Sequence, residues 1–233
     1  MTDELHLARY PEPLGLWVRK GARIAAHPEL RTQEIEFSSR GDRVTGQLIL
    51  PAEGGGPYPL VLVQHALGDS AAGVLGSVGT GWVEAGAAVA AVDFPLHGAR
   101  ADQKLLGMLT DGRSAGPHRA AITAEFTQQA VIDLERALDA LAAATWIDAE
   151  RIAYVGFGLG GQLGGAFCAL DPRPATAALA ARVGGALEAG PDPARYLARI
   201  APRPVLRVEE PPAASAPAIW NFLAQTLAPP RAL

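Results

Sequence analysis

The chain is poor in several features that would decide its class. It has one cysteine, Cys168, so it forms no internal disulfide and suits a reducing compartment. No apolar run approaches the ~20 residues of a membrane span. Positive charge is not in excess. Twenty Lys and Arg stand against 24 Asp and Glu, for a net charge of −4, and no basic stripe marks a nucleic-acid surface. The opening stretch, MTDELHLARYPEP, is polar and carries Asp3 and Glu4, unlike a secretory signal. Two further absences bear on chemistry. No histidine follows His118, and the glycine-rich stretch GFGLGG, Gly156 to Gly161, holds no serine. The expectation is a cytoplasmic protein with no membrane or nucleic-acid partner and no cofactor.

What remains is ordinary for a globular domain. At 233 residues, 49% hydrophobic and 19% charged, the chain builds a full core without metal or disulfide staples. Its wealth of Ala, Gly, Pro and Arg points to a GC-rich bacterial genome.

Hydrophobic periodicity orders the elements. A short helix is expected over Leu14 to Ala26, followed by a hairpin of Gln33–Phe37 and Val44–Leu50 joined through Ser38–Asp42. Leu60–Gln64 is a continuous apolar run, as a strand covered on both faces requires. A small-residue helix is expected over Ala72–Ala85, a strand over Ala87–Val92, and a long loop over Phe94–Pro117. The clearest helical period runs from His118 to Ala144. A strand at Ile152–Val155 leads into GFGLGG and a helix over Leu159–Leu170. Ala175–Val183 reads as a buried strand. Asp192 before Pro193 reads as an N-cap followed by proline at N1. Pro204–Val208 reads as a last strand, Pro211–Pro217 as a loop and Ala218–Leu223 as the closing helix. Strands alternating with helices imply an α/β domain. Its sheet is mostly parallel, opens on an antiparallel hairpin and carries helices on both faces.

A strand–turn–helix with G-x-S-x-G at the bend is a nucleophile elbow. Four segments in order carry a wider resemblance: VLVQHALGDS (Val61–Ser70), AVDFPLHGAR (Ala91–Arg100), WIDAERIAYVGFGLGG (Trp146–Gly161) and DPARYLARIAPRPVL (Asp192–Leu206). Together they resemble the α/β-hydrolase family, near its dienelactone-hydrolase and acetyl-esterase branch. The resemblance implies one α/β-hydrolase domain over residues 1–233, with 1–30 as an N-terminal extension. It also implies an esterase-like hydrolase with a small-molecule ester or carboxylate ligand. Two departures stand out. Gly158 occupies the nucleophile position and has no side chain. The segment from Glu209 to Pro217 is too short to hold the family's acid loop, last strand and histidine. The last strand is therefore expected to be missing, leaving Val205–Val208 as a sheet edge open to homodimer pairing.

The remaining candidates sort by chemistry. The N–H groups of Leu159 and of Ala66 or Leu67 would form an oxyanion hole, since backbone donors survive any side-chain change. His65, Asp93 and His97 fall at the carboxyl ends of strands, where open α/β sheets bind ligands. They read either as pocket residues or as structural ones, with Asp93 capping loop amides and His97 packed beneath the loop. They are too few and too scattered for a metal site. Ser70, Ser114 and His118 read as surface residues, Glu209 and Glu210 as solvated charges, and Cys168 as an inert buried thiol. The reading these residues favour is an ester-hydrolase relative without catalysis, a pseudoenzyme that keeps a small-molecule pocket. The alternatives are a hydrolase using a non-standard constellation and a serine-to-glycine variant of an active serine hydrolase.

Overall fold

The computed structural model describes residues 12–22, 24, 27–78, 80–111, 117–182, 185–188, 190–209 and 211–227. Its strands are β1 (Trp17–Lys20), β2 (Arg31–Ser39), β3 (Asp42–Leu50), β4 (Tyr58–Gln64), β5 (Ala88–Val92), β6 (Ile147–Phe157), β7 (Pro174–Ala180) and β8 (Val205–Arg207). Its helices are α1 (Ala71–Val78), α2 (Gly81–Glu84), α3 (Gln103–Thr110), α4 (Pro117–Ala142), α5 (Leu159–Leu170), α6 (Leu197–Ile200) and α7 (Pro212–Leu227). The strands form one sheet in the order β1-β2-β3-β5-β4-β6-β7-β8. The first three strands and the β3–β5 pair are antiparallel, and every pair from β5 through β8 is parallel.

Local chemistry explains the hairpin. Arg40 and Gly41 both have positive φ, 50° and 77°, and close a two-residue turn that opposes Ser39 to Asp42. That register points Ile35, Phe37, Val44 and Leu48 into the core. Leu60, Leu62 and Tyr154 of the central strands pack with Leu134 and Leu138 of α4 and Leu163 and Phe167 of α5 on one sheet face. Val61, Val63 and Val155 pack with Val74 and Leu75 of α1 and Ile219 and Leu223 of α7 on the other. From β4 the chain crosses to β5 on one side and then to β6 on the other. That reversal opens a crevice at the carboxyl ends of β4, β5 and β6, where the site lies.

The structure differs from the sequence reading in four elements. Leu14–Ala26 is no helix in its described part. Gly15 takes φ 57°, and residues 17–20 pair with β2 instead. The helix over Ala72–Ala85 is two described helices: α1 ends at Val78 and α2 starts at Gly81, with Thr80 as its N-cap residue. The loop from Phe94 to Pro117 contains α3, capped by Asp102 Oδ1, which accepts from Leu105 N at 3.0 Å. The loop over Pro211–Pro217 is the start of α7. Pro212 and Pro217 both fall within that helix, and Ser215 N and Oγ donate to the carbonyl of Pro211.

Strand β8 pairs with β7 alone among the described residues, so the sheet ends there. No described helix is long and apolar enough to cross a membrane.

Candidate active site

The bend between β6 and α5 is built by glycines that leave no room for anything larger. A Cβ on Gly156 would lie 2.3 Å from the Gly160 carbonyl, one on Gly160 2.6 Å from the Gln64 oxygen, and one on Gly161 2.5 Å from Ala181 N. Helix α5 therefore sits directly on the ends of β4 and β7. Gly158 itself adopts φ 50° and ψ −112°, a conformation that glycine reaches freely and other residues rarely do. Its N–H donates to the Ala180 carbonyl at 2.9 Å, and Gly160 N–H donates to that of His65 at 3.0 Å. Beneath the bend, the buried Tyr154 hydroxyl donates to the Gly160 carbonyl at 2.7 Å. The elbow's backbone is complete, but its apex presents no side chain.

Two of the three expected oxyanion donors converge. Leu67 N–H, in the turn after β4, and Leu159 N–H, the first of α5, both donate to one oxygen, at 2.9 Å and 2.8 Å. Those distances suit an oxyanion hole. The oxygen is the carbonyl of Gly185, from the same chain. Ala66 contributes its carbonyl instead, which accepts from Asp69 N–H and from the His65 ring.

His65, Asp93 and His97 all sit at the carboxyl rim, but they do not converge on one point. His65 is fully buried. Its Nδ1 contacts the Ala66 carbonyl at 2.8 Å and its Nε2 lies 3.2 Å from Phe94 N–H. Nε2 must accept there, so the partners assign a neutral ring with its proton on Nδ1. Burial lowers its pKa to about 4, outweighing the Ala66 bond that opposes the shift. His97 lies against it, ring centroids 5.1 Å apart. Its Nδ1 contacts the Pro95 carbonyl at 2.8 Å, and its buried Nε2 has no hydrogen-bond partner. Burial lowers this pKa too.

Asp93 makes its bonds elsewhere. Oδ1 accepts from Ala71 N–H at 2.9 Å, while Oδ2 accepts from Thr45 Oγ1 at 2.9 Å and Ala99 N–H at 3.1 Å. It thereby ties the start of α1, strand β3 and the 3₁₀ turn Gly98–Arg100 together. Arg100 reinforces this corner by donating to the Asp93 carbonyl and to the fully buried Asp133.

The other candidates are dispersed. Ser70 Oγ accepts from Gly73 N–H at 3.1 Å, a cap for α1. His118 is exposed near the start of α4. Cys168 is fully buried, and burial pushes its thiol well up. Ser114 and Glu210 lie outside the described residues. Glu209 lines a groove of about 400 Å³ at the rim, with Gln162, Arg182 and Arg207. A larger groove, about 850 Å³, lies away from the elbow on the hairpin face, lined by Trp17, Thr45, Ser70 and Asp93.

Three residues central to this arrangement had no motif to announce them. Gly185 and Leu187 act through their backbones, which leave no side-chain signature. Gln162 had a weak signal: it is the one polar side chain in the otherwise small and apolar helix LGGQLGGAFCAL.

The sequence matches a family model described as acetyl xylan esterase (AXE1) over residues 25–183, more than half of the chain. No curated protein sequence matches. Among solved structures, an acetyl xylan esterase from Paenibacillus sp. R4 superposes with a TM-score of 0.57 at 22% identity, covering 72% of this chain and 53% of that one. A cold-adapted esterase from an Arctic intertidal metagenomic library gives 0.61 at 17% identity, covering 90% and 97%. A glucuronoyl esterase from Solibacter usitatus gives 0.57 at 16% identity, covering 93% and 75%. At these identities the likeness is one of fold. This chain spans about half the length of the Paenibacillus esterase.

Proposed function

Because this chain belongs to the acetyl xylan esterase (AXE1) family, we propose that it is a non-hydrolytic member, related to carboxylic-ester hydrolases but without serine-dependent turnover. The observation that carries this reading is Gly158, a bare apex on an otherwise complete elbow.

Acyl transfer at an elbow needs three parts: an oxygen nucleophile, a base within hydrogen-bond reach of it, and donors for the developing oxyanion. The apex supplies hydrogen where the nucleophile belongs. The rim histidines are poorly placed to act as the base. Both His65 nitrogens have partners, and the buried His97 Nε2 has no described hydroxyl within hydrogen-bond reach. Loss of the nucleophile or base costs about 10⁶ in turnover for a serine hydrolase, leaving ~10³–10⁴ over water from the hole and binding alone. The donors at Leu67 and Leu159 are the part that persists, and they suit an ester or carboxylate oxygen.

A second reading draws on Gly156, Gly160 and Gly161. These residues hold α5 against the sheet as a working elbow demands, as they would in a serine-to-glycine variant of an active enzyme. Fluorophosphonate labelling followed by peptide mapping tests the first reading. The expected result is no labelled residue. A single labelled serine or threonine at the carboxyl rim would show a nucleophile that this reading denies.

A further inference from the structure

The contact of Gly185 with both hole donors is more than a loop hydrogen bond. Leu67 and Leu159 belong to different elements, the turn after β4 and the first position of α5. Neither N–H has a partner within its own element: Leu159 opens a helix, whose first amides are orphans, and Leu67 lies in a turn. One carbonyl oxygen satisfies both, at 2.9 Å and 2.8 Å. That is how an ester or acyl-enzyme oxygen would be held.

The segment that brings this oxygen is fastened on both sides. Gln162, only 9% exposed, points its carboxamide at Leu187. Its Nε2 donates to the Leu187 carbonyl at 2.8 Å, and its Oε1 accepts from Leu187 N–H at 3.0 Å. The side chain thus pairs with a peptide group as a neighbouring strand would. The Leu187 side chain is buried in the main core cluster. Glu188 pairs with Arg119 of α4. Gly185 has to be small: a Cβ there would lie 2.9 Å from the Leu67 Cβ.

We propose that residues 185–188 form a built-in pseudosubstrate, a strap whose Gly185 carbonyl occupies the oxyanion hole and closes it to external esters. Gln162 is its positioning residue. The proposal rests on the non-hydrolytic reading and deepens it: the hole has changed from binding a passing acyl group to holding the chain's own backbone. A ligand carbonyl or carboxylate reaches Leu67 and Leu159 only after the strap lifts.

Amide hydrogen exchange of the full chain, read by NMR at Leu67 and Leu159, tests this directly. Both amides are expected to be strongly protected in the natural protein. In Gln162→Ala both lose protection by about tenfold, the worth of one or two net hydrogen bonds, while β6 amides such as Val155 keep theirs. Gly185→Val, which forces the strap outward by contact with Leu67, is expected to do the same and gives a second route should Gln162→Ala fail to fold. Exchange at open-chain rates in the natural protein would overturn the proposal. So would protection unchanged in both folded variants. The two readings fail separately. Ester turnover with both amides protected would sink the non-hydrolytic reading and leave the strap. Fast exchange without turnover would sink the strap alone.

Discussion

The carbonyl oxygen of Gly185 stands 2.8 Å from the N–H of Leu159, the first amide after the elbow's apex. The helix N-terminus that would stabilise a developing negative charge is therefore engaged with a neutral peptide oxygen. Chemistry at this elbow needs three changes: a nucleophile, a base within its reach and an emptied hole.

Gly158→Ser separates these requirements. The backbone at 158, φ 50° and ψ −112°, is costly for any residue with a Cβ, so the substitution is expected to destabilise the fold by about 1–3 kcal/mol. Chemical denaturation measures that cost. Hydrolysis of p-nitrophenyl acetate by this variant is expected to stay near the buffer rate. A full esterase from this single change would establish the serine-to-glycine reading instead.

His65 predicts a pH dependence. Its folded pKa, about 4, lies below the ordinary 6.5 because burial disfavours the charged ring. The unfolded chain therefore binds the extra proton first as pH falls. The stability due to neutral His65 is full above about pH 6.5, declines as pH drops towards 4, and levels off below that. The amount at stake is on the order of 3 kcal/mol. His97, shifted in the same direction, adds to the slope. Ring-proton NMR checks the assignment: His65 resonances stay fixed from pH 8 to about 5.

Asp93 is expected to matter for stability rather than for chemistry. Its carboxylate satisfies three donors from three elements. Asp93→Ala leaves Ala71 and Ala99 N–H and the Thr45 hydroxyl without that acceptor, a loss of about 3 kcal/mol or more. Asp93→Asn keeps one acceptor oxygen and is expected to lose less. Urea unfolding of the pair measures the difference.

The elbow glycines separate close packing from helix propensity. Alanine favours a helix interior by about 1 kcal/mol over glycine. At Gly107, where an added Cβ meets nothing within 4 Å, Gly107→Ala is expected to stabilise by most of that amount. At Gly160 the same atom would lie 2.6 Å from the Gln64 oxygen. Overpacking there costs about 1–3 kcal/mol and wins, so Gly160→Ala lowers the melting temperature while Gly107→Ala raises it.

Sequence reasoning reached the elements whose signal is local. The helix Leu159–Leu170 was found to the residue, because a strand, a glycine turn and a small-residue helix follow one another. The hairpin was found from its alternation and its turn. Strand β1 was hidden because its four residues are all exposed and owe their shape to β2. Helix α3 is only eight residues long and contains Gly107, so its period was too short to read. Prolines 212 and 217 disguised the start of α7. At the site, the elbow and its flanking segments mark Gly158 and Leu159 and leave Ala66 and Leu67 as alternatives for the second donor, because a turn's backbone amides carry no side-chain signal. The occupant of the hole was not readable, because Gly185 acts through a carbonyl that every residue carries.

The most direct measurement is steady-state hydrolysis of p-nitrophenyl acetate by the purified natural chain, compared with buffer at the same pH. The expected result is a rate indistinguishable from buffer. A saturable turnover of about 1 s⁻¹ or faster, the range of ordinary enzymes, would contradict the claim that a bare apex and a filled hole leave this elbow without chemistry.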